Sequence, residues 1–244
     1  MSGVGWPHCM RSRRAVTNHI VKSFDEELRR LKQLVKEMGK LTSEQLDAAL
    51  DAVEDSDRAI ARRVIEREPD ADRMQREIDH LSIRLLALRQ PVAIDLRDVL
   101  SAQRIANELE RICDHAADLA ERFLALHPNG EEPRRSLIAL GRFAVAMVED
   151  AMAAYAARDN DRAQEVWARD KELDEMYSAC FGELLGYMMG NPQSTSTGTQ
   201  MLMMARAIER AGDRATNIAE MVRYLVGGTL VEEERPKADT TKTL

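Results

Sequence analysis

Close to the N-terminal end of the chain, apolar residues recur at intervals of three and four: Phe24, Leu28, Leu31, Val35, Met38, Leu46, Ala49 and Val53, with Thr42 keeping the phase. That spacing predicts a helix with one buried stripe. Thr42-Ser43-Glu44-Gln45 has the form of a capping box and could divide the segment. The phase runs through it uninterrupted, so a single long helix is the expectation. Further helices are predicted over 57–89, 92–126, 134–157, 160–189 and 198–226. Breakers separate them at Gln90-Pro91, His127-Pro128-Asn129-Gly130, Arg158-Asp159-Asn160 and Gly190-Asn191-Pro192.

A repeat organises these six segments. The third and sixth helices align at a constant offset of 99 residues, from Ala106–Glu121 onto Ala205–Glu220, with seven of sixteen positions identical. The second and fifth align at an offset of 102: Asp57, Ala61, Val64, Arg67, Glu68 and Asp72 fall on Asp159, Ala163, Val166, Arg169, Asp170 and Asp174. The first and fourth match in apolar phase and hardly in identity. The expected fold is all-α, a tandem repeat of two three-helix bundles, each up-down-up with short loops. The boundaries are a disordered extension over 1–18, a first repeat over 19–127, a second over 134–227 and a flexible tail over 228–244.

Composition agrees with helices: 44% of the 244 residues are hydrophobic, 4% aromatic, and there are 7 prolines. A net charge of -7 argues against nucleic acid as a partner. The one basic run, Arg11-Ser12-Arg13-Arg14, is short and lies in the extension. Cys9, Cys113 and Cys180 form no CxxC pair and fit free thiols in a reducing compartment. There is no continuous apolar leader or span, so a soluble, cytoplasmic protein is expected. Met201-Leu202-Met203-Met204 reads as adaptable core or packing surface.

The duplicated helices carry acids. On a helix Glu110, Asp114, Asp118 and Glu121 form one stripe, and Glu209, Asp213 and Glu220 repeat it. The apolar set Leu109, Ile112, Ala116 and Leu119 lies opposite, so the acids read first as a solvated face. Like charges four apart destabilise a helix by ~0.2 to 0.5 kcal/mol each. Arg104, Arg111, Arg206 and Arg210 could offset this as ion-pair partners, and so could a hard cation. Glu68 with Asp72 and Asp170 with Asp174 repeat the spacing on the neighbouring helix of each half. Facing pairs would then offer four carboxylates to a common ion. The one Glu-x-x-His arrangement, Glu77-Ile78-Asp79-His80, has no second copy, which argues against a redox di-iron enzyme. No nucleophile elbow and no Gly-rich phosphate loop occurs.

Gln90-Pro91-Val92-Ala93-x-Asp95-Leu96-Arg97, then Glu108-Leu-Glu110-Arg111-x-x-Asp114-His115-Ala116, then Ile208-Glu209-Arg210-x-Gly212-Asp213-x-x-x-Asn217-Ile218 together resemble the PhoU family over roughly Phe24 to Gly227. The resemblance implies two three-helix bundles in pseudo-twofold repeat, multinuclear metal sites and a homodimer. It implies a cytoplasmic negative regulator of phosphate uptake and of the phosphate-starvation response. Such a regulator links the phosphate-specific ABC transporter to the phosphate-sensing histidine kinase, and meets the membrane only through those partners. The metal candidates it carries over are Glu110, Asp114, Glu209 and Asp213 with Asp170 and Asp174, then Glu68 and Asp72. Divalent or iron-type ions (Fe, Mn, Mg, Zn or Ni) are not distinguished. Pro69 raises the expectation that the second helix starts or kinks there and turns Glu68 aside. Cys113, where the family pattern has Gly, would crowd the first site or fill a gap. The alternative is a metal-dependent phosphoesterase-type enzyme using the same acidic clusters.

Overall fold

The apolar stripe from Leu28 to Val53 is buried along its length, and it lies on one uninterrupted helix, α1 (Met10–Glu54). The structure is a computed structural model that describes residues 10–126, 133–190 and 192–229, with the side chains of 10–23 and 89 outside that description. Helical backbone thus begins at Met10, within the stretch expected as an extension. Residues 1–9, the His127-Pro128-Asn129-Gly130 breaker and the tail from 230 lie outside the described residues.

Each repeat's second helix begins at an aspartate cap. Asp57 accepts from the Ala59 and Ile60 N–H groups at 2.7 and 3.2 Å and opens α2 (Arg58–Arg89). This helix passes through Pro69, which corrects the expectation of a start there. It forgoes the hydrogen bond that residue 69 would donate, and Pro69 lies on its exposed side. Asp159 accepts from the Asp161 and Arg162 N–H groups at 3.0 Å and opens the matching segment of the second half. That segment was expected as one helix over 160–189. It breaks at Arg169 into α5 (Asn160–Ala168) and α6 (Asp170–Gly190). At the offset of 102, Arg169 corresponds to Arg67, two residues before Pro69, so the turn of the second repeat falls beside the position where the first repeat carries its proline within a continuous helix. The remaining elements are α3 (Ala93–Ala125), α4 (Arg134–Ala157) and, after a single 3₁₀ turn over Pro192–Ser194, α7 (Thr195–Gly227).

Helices α1, α2 and α3 pack as one bundle, and α4, α5/α6 and α7 as the other. The two join across α3–α7, the most extensive interface, and across α1–α4, so buried residues of both halves form one continuous core. The α1–α4 crossing shows the pseudo-twofold most plainly. Gly39 lies against Met152, and Gly141 against Leu50. At the offset of 102, Gly39 falls on Gly141 and Leu50 on Met152, so one contact is the image of the other. Polar ties also cross the halves. Arg142 of α4 holds Asp47, Asp51 (2.6 Å) and Glu54 (2.7 Å) of α1. Glu108 of α3 accepts from Asn217 at 2.9 Å and from Arg214 at 3.3 Å on α7.

Candidate metal sites in two acidic grooves

Helices α6 and α7 run antiparallel in a register fixed by three contacts. Leu173 lies against Gly212, where an added Cβ would overlap its side chain. The Thr216 hydroxyl donates to Asp170 Oδ1 at 2.9 Å, and the Arg206 guanidinium sits over the Tyr177 ring at 5.7 Å. This register sets Asp170 and Asp174 on α6 opposite the Glu209–Asp213 stretch of α7. Asp170, Asp174 and Glu209 are only 0%, 1% and 2% exposed, while Asp213 is half-buried. Arg206 donates to Glu209 Oε1 at 3.1 Å. The reading of these acids as a solvated face is therefore corrected in the second half. Helix α7 packs on α3 and α4 as well as on α6, and so little of its circumference is left for water.

The first groove is the counterpart between α2 and α3. Burial raises the pKa of Glu68, and the charges of Asp72, Asp114 and Glu121 raise it further. Burial also raises Glu110, with Asp114, Asp72 and Glu68 adding to it and Arg111 opposing. Asp114 is raised by burial, against the pull of Arg111, and again by Asp72. All four candidates thus share one field, and Glu68 faces the groove in spite of Pro69. Arg111 closes part of it, pairing with Asp114 at 3.2 Å and Glu110 at 3.5 Å. This groove is the more open: the side chains of Glu110 and Asp114 are 21% and 32% exposed.

Cys113 fills a gap and does not enter the groove. Its thiol donates to Thr42 Oγ1 of α1 at 3.4 Å. Burial first, with the charges of Asp114 and Glu110 behind it, pushes the thiol up to about 12, so it stays protonated. Cys180 is buried too, His80 is exposed, and Met201 and Met204 are core. Thr216 is a groove residue that sequence reading missed, whereas Arg206 is one of the arginines expected as ion-pair partners and does pair with Glu209. Thr216 carried a signal, since it follows Glu209 by seven residues and so lies two turns along the same face.

Among the described residues no group of three or more His, Cys, Asp or Glu side chains is gathered closely enough to hold a metal ion. The grooves offer open rows of carboxylates. Three buried carboxylates in one groove are costly without positive charge among them, and an all-oxygen donor set suits hard divalent or iron-type cations. The donor chemistry of the residues present suits such an ion, but the side chains are not gathered around one position.

The PhoU domain model matches this chain twice, over residues 35–123 and 137–222. The chain belongs to the PhoU family. Each PhoU match encloses one complete groove: Glu68, Asp72, Glu110 and Asp114 in the first, Asp170, Asp174, Glu209 and Asp213 in the second. A "phosphate-specific transport system accessory protein PhoU homolog" of Rhizobium meliloti (strain 1021) is 38% identical over 228 residues, covering 93% of this chain and 96% of that protein. The homolog of the same description from Caulobacter vibrioides (strain NA1000 / CB15N) is 39% identical, covering 92% and 98%. The crystal structure of PhoU from Pseudomonas aeruginosa superposes with a TM-score of 0.81 at 38% identity, covering 84% of this chain and all of that one. The phosphate transport system regulatory protein PhoU of Streptococcus pneumoniae superposes at 0.80 with 32% identity.

Proposed function

We propose that this chain is a non-enzymatic accessory regulator of phosphate transport, a negative regulator that adapts the phosphate ABC transporter to a phosphate-sensing histidine kinase in the cytoplasm. The observation that carries this reading is the doubled PhoU domain, each copy with its own acid-lined groove, in relatives named as accessory proteins of the phosphate-specific transport system. No helix among the described residues is long and apolar enough to cross a membrane, which suits a partner that meets a transporter from one side. In this reading Asp170, Asp174, Glu209 and Asp213 hold a cation in the second groove, and Glu68, Asp72, Glu110 and Asp114 hold one in the first. A bound cation would supply the positive charge that each groove gathers acids around. The residues themselves orient it: Thr216 fixes Asp170, Arg206 fixes Glu209, and Arg111 fixes Glu110 and Asp114. A homodimer is part of the proposal.

Deleting the gene is expected to raise a phosphate-starvation reporter in high phosphate, and the wild-type gene to restore repression. Unchanged reporter output and unchanged phosphate uptake in the deletion strain would sink the regulatory reading. Metal analysis of protein purified without chelator tests the grooves separately. Stoichiometric metal that falls when Asp174 and Glu209 become Asn and Gln is the expected result.

A further inference from the structure

At the end of the molecule where α4 finishes against α1, α3 and α7, the surface opens into a cavity of about 130 Å³. Its wall includes Lys32 and Lys36 of α1, Asp98 of α3, Tyr155 and Arg158 at the end of α4, and Leu225 of α7. Asp98 is 4% exposed. Lys32 Nζ stands 2.9 Å from its Oδ2, and Arg158 holds its Oδ1. Burial, and then the charge of Asp98, pushes the Tyr155 hydroxyl well above its ordinary range, so it is a neutral donor. Lys36 is exposed and has no ion-pair partner among the described residues.

The charges do not balance. Three cations face one carboxylate, and the carbonyl end of α4 adds roughly half a negative charge, which leaves a surplus of about one and a half positive charges. Arg158 reaches the cavity from the left-handed region, at φ 54°, a conformation that disfavours every side chain except glycine and asparagine or aspartate. The opposite end of the molecule holds the pseudo-symmetric cavity, built around Ser56 and Arg134. There Arg134 donates to the Val53 carbonyl at 3.0 Å and to Ser56 Oγ, and Arg58 donates to the Leu124 carbonyl. Those guanidinium groups close helix ends. In the Asp98 cavity the bridging carboxylate instead sets Lys32 and Arg158 side by side, with Lys36 next to them.

We propose that the Asp98 cavity binds one small tetrahedral oxyanion, of the size and charge of inorganic phosphate or sulfate. Lys36, Lys32 and Arg158 are its cationic contacts, and Asp98 positions the latter two. Its volume of about 130 Å³ is room for such an ion. The ion would join α1 of the first repeat to the end of α4 in the second, so its binding would reach both halves. This site is separate from the acidic grooves and needs no metal.

Calorimetric titration of the full chain, stripped of metal and in low salt, tests it with inorganic phosphate, sulfate, chloride and AMP as probes. The expected result is one phosphate or sulfate per chain, with chloride and AMP much weaker. Lys36→Gln should weaken phosphate roughly tenfold, the effect of losing one charged hydrogen bond. Arg158→Gly, which suits the left-handed backbone, should weaken it at least as much, and Arg210→Gln, outside the cavity, should leave it unchanged. Folded protein that takes up neither phosphate nor sulfate at millimolar concentration overturns the proposal. So does binding that K36Q leaves intact, and since Lys36 is exposed that variant decides the matter even if R158G fails to fold.

Discussion

Between α6 and α7 a large residue, Leu173, lies on Gly212; between α2 and α3 the corresponding positions are Ala71 and Cys113, and all four are buried. The two interfaces place their bulk on opposite helices. A second exchange accompanies the first. Asp170 is anchored by the Thr216 hydroxyl, whereas in the first half Thr216 is replaced by Ala117, which has no hydroxyl to offer Glu68. The second groove thus holds Asp170, Asp174 and Glu209 out of water, and the first, with the longer Glu68 in place of Asp170, is more open and has Arg111 across it. Duplication kept the acids and let the packing around them drift in compensating pairs.

The largest expected effect tests that compensation. Leu173→Ala opens a cavity against a glycine that cannot fill it and should cost about 2–5 kcal/mol. Adding Gly212→Cys to that variant recreates the first-half pair and should recover part of the loss, a coupling of about 0.5–3 kcal/mol. Denaturant unfolding of the two singles and the double measures it. Strict additivity would show that the two positions do not compensate one another.

Cations and pH sharpen the contrast from the first-half side. Glu68, Glu110 and Asp114 have folded-state pKa values raised above their ordinary ones. Their protonated forms therefore favour the fold. That contribution is fully present below the ordinary carboxylate range and is lost as pH rises through the raised values. A divalent cation should replace it above that range, adding about 2.7 kcal/mol at a hundredfold excess over its Kd. The rise in Tm with Mg²⁺ or Mn²⁺ should shrink as pH falls through the carboxylate range, and an equal rise at pH 4 and 7 contradicts the model of a charge-assisted groove. In the second half Thr216→Val removes the hydroxyl that orients Asp170 and should weaken cation binding there by about 10- to 100-fold, whereas Ala117→Val should change first-groove affinity far less.

The glycine pair at the α1–α4 crossing tests where the halves remain alike. Gly39→Ala and Gly141→Ala each push a Cβ into one flexible side chain, Met152 or Leu50, at about 1–3 kcal/mol. Met152 is the more adaptable side chain, so Gly39→Ala should be the milder of the two by chemical denaturation.

Much of this was legible in the chain. Continuous phase through Thr42 indicated a single α1, and the 99- and 102-residue offsets placed the acids of adjacent helices in each half. The burial of Glu209 was not legible, because a stripe of Ile208, Ala211, Ala215 and Ile218 reports one packed face and cannot report that α3, α4 and α6 together enclose most of α7. Gly39 and Gly141 align at the offset of 102, yet two glycines among unlike neighbours carry little weight until their reciprocal contacts are seen. Pro69 misled for a plain reason: a proline facing solvent costs a helix one hydrogen bond, and the packing of α2 on α1 and α3 outweighs it. The Asp98 cavity gathers residues from positions 32 to 225, and no local pattern announces such a meeting.

The smallest effects belong to the feature on which the halves agree most closely. Asp57 and Asp159 cap α2 and α5 with the same oxygen, accepting from the second and third N–H groups beyond it. Each cap follows a left-handed residue, Ser56 at φ 57° and Arg158 at φ 54°, so backbone and cap form one unit in both repeats. Replacing either aspartate by alanine should cost about 1 kcal/mol, and because the two units are more than 7–10 Å apart in separate helices' ends, their costs should add within about 0.5 kcal/mol. The difference between them is the informative quantity. Asp57 opens a helix of 32 residues and Asp159 one of 9 residues before the break at Arg169. A short helix has fewer bonds to share the loss of its first turn. Asp159→Ala should therefore raise amide exchange throughout α5, while Asp57→Ala should raise it only in the first turns of α2. Equal, local fraying at both ends would mean that the break at Arg169 does not uncouple α5 from α6, and that the second half behaves as the unbroken helix that its sequence suggests.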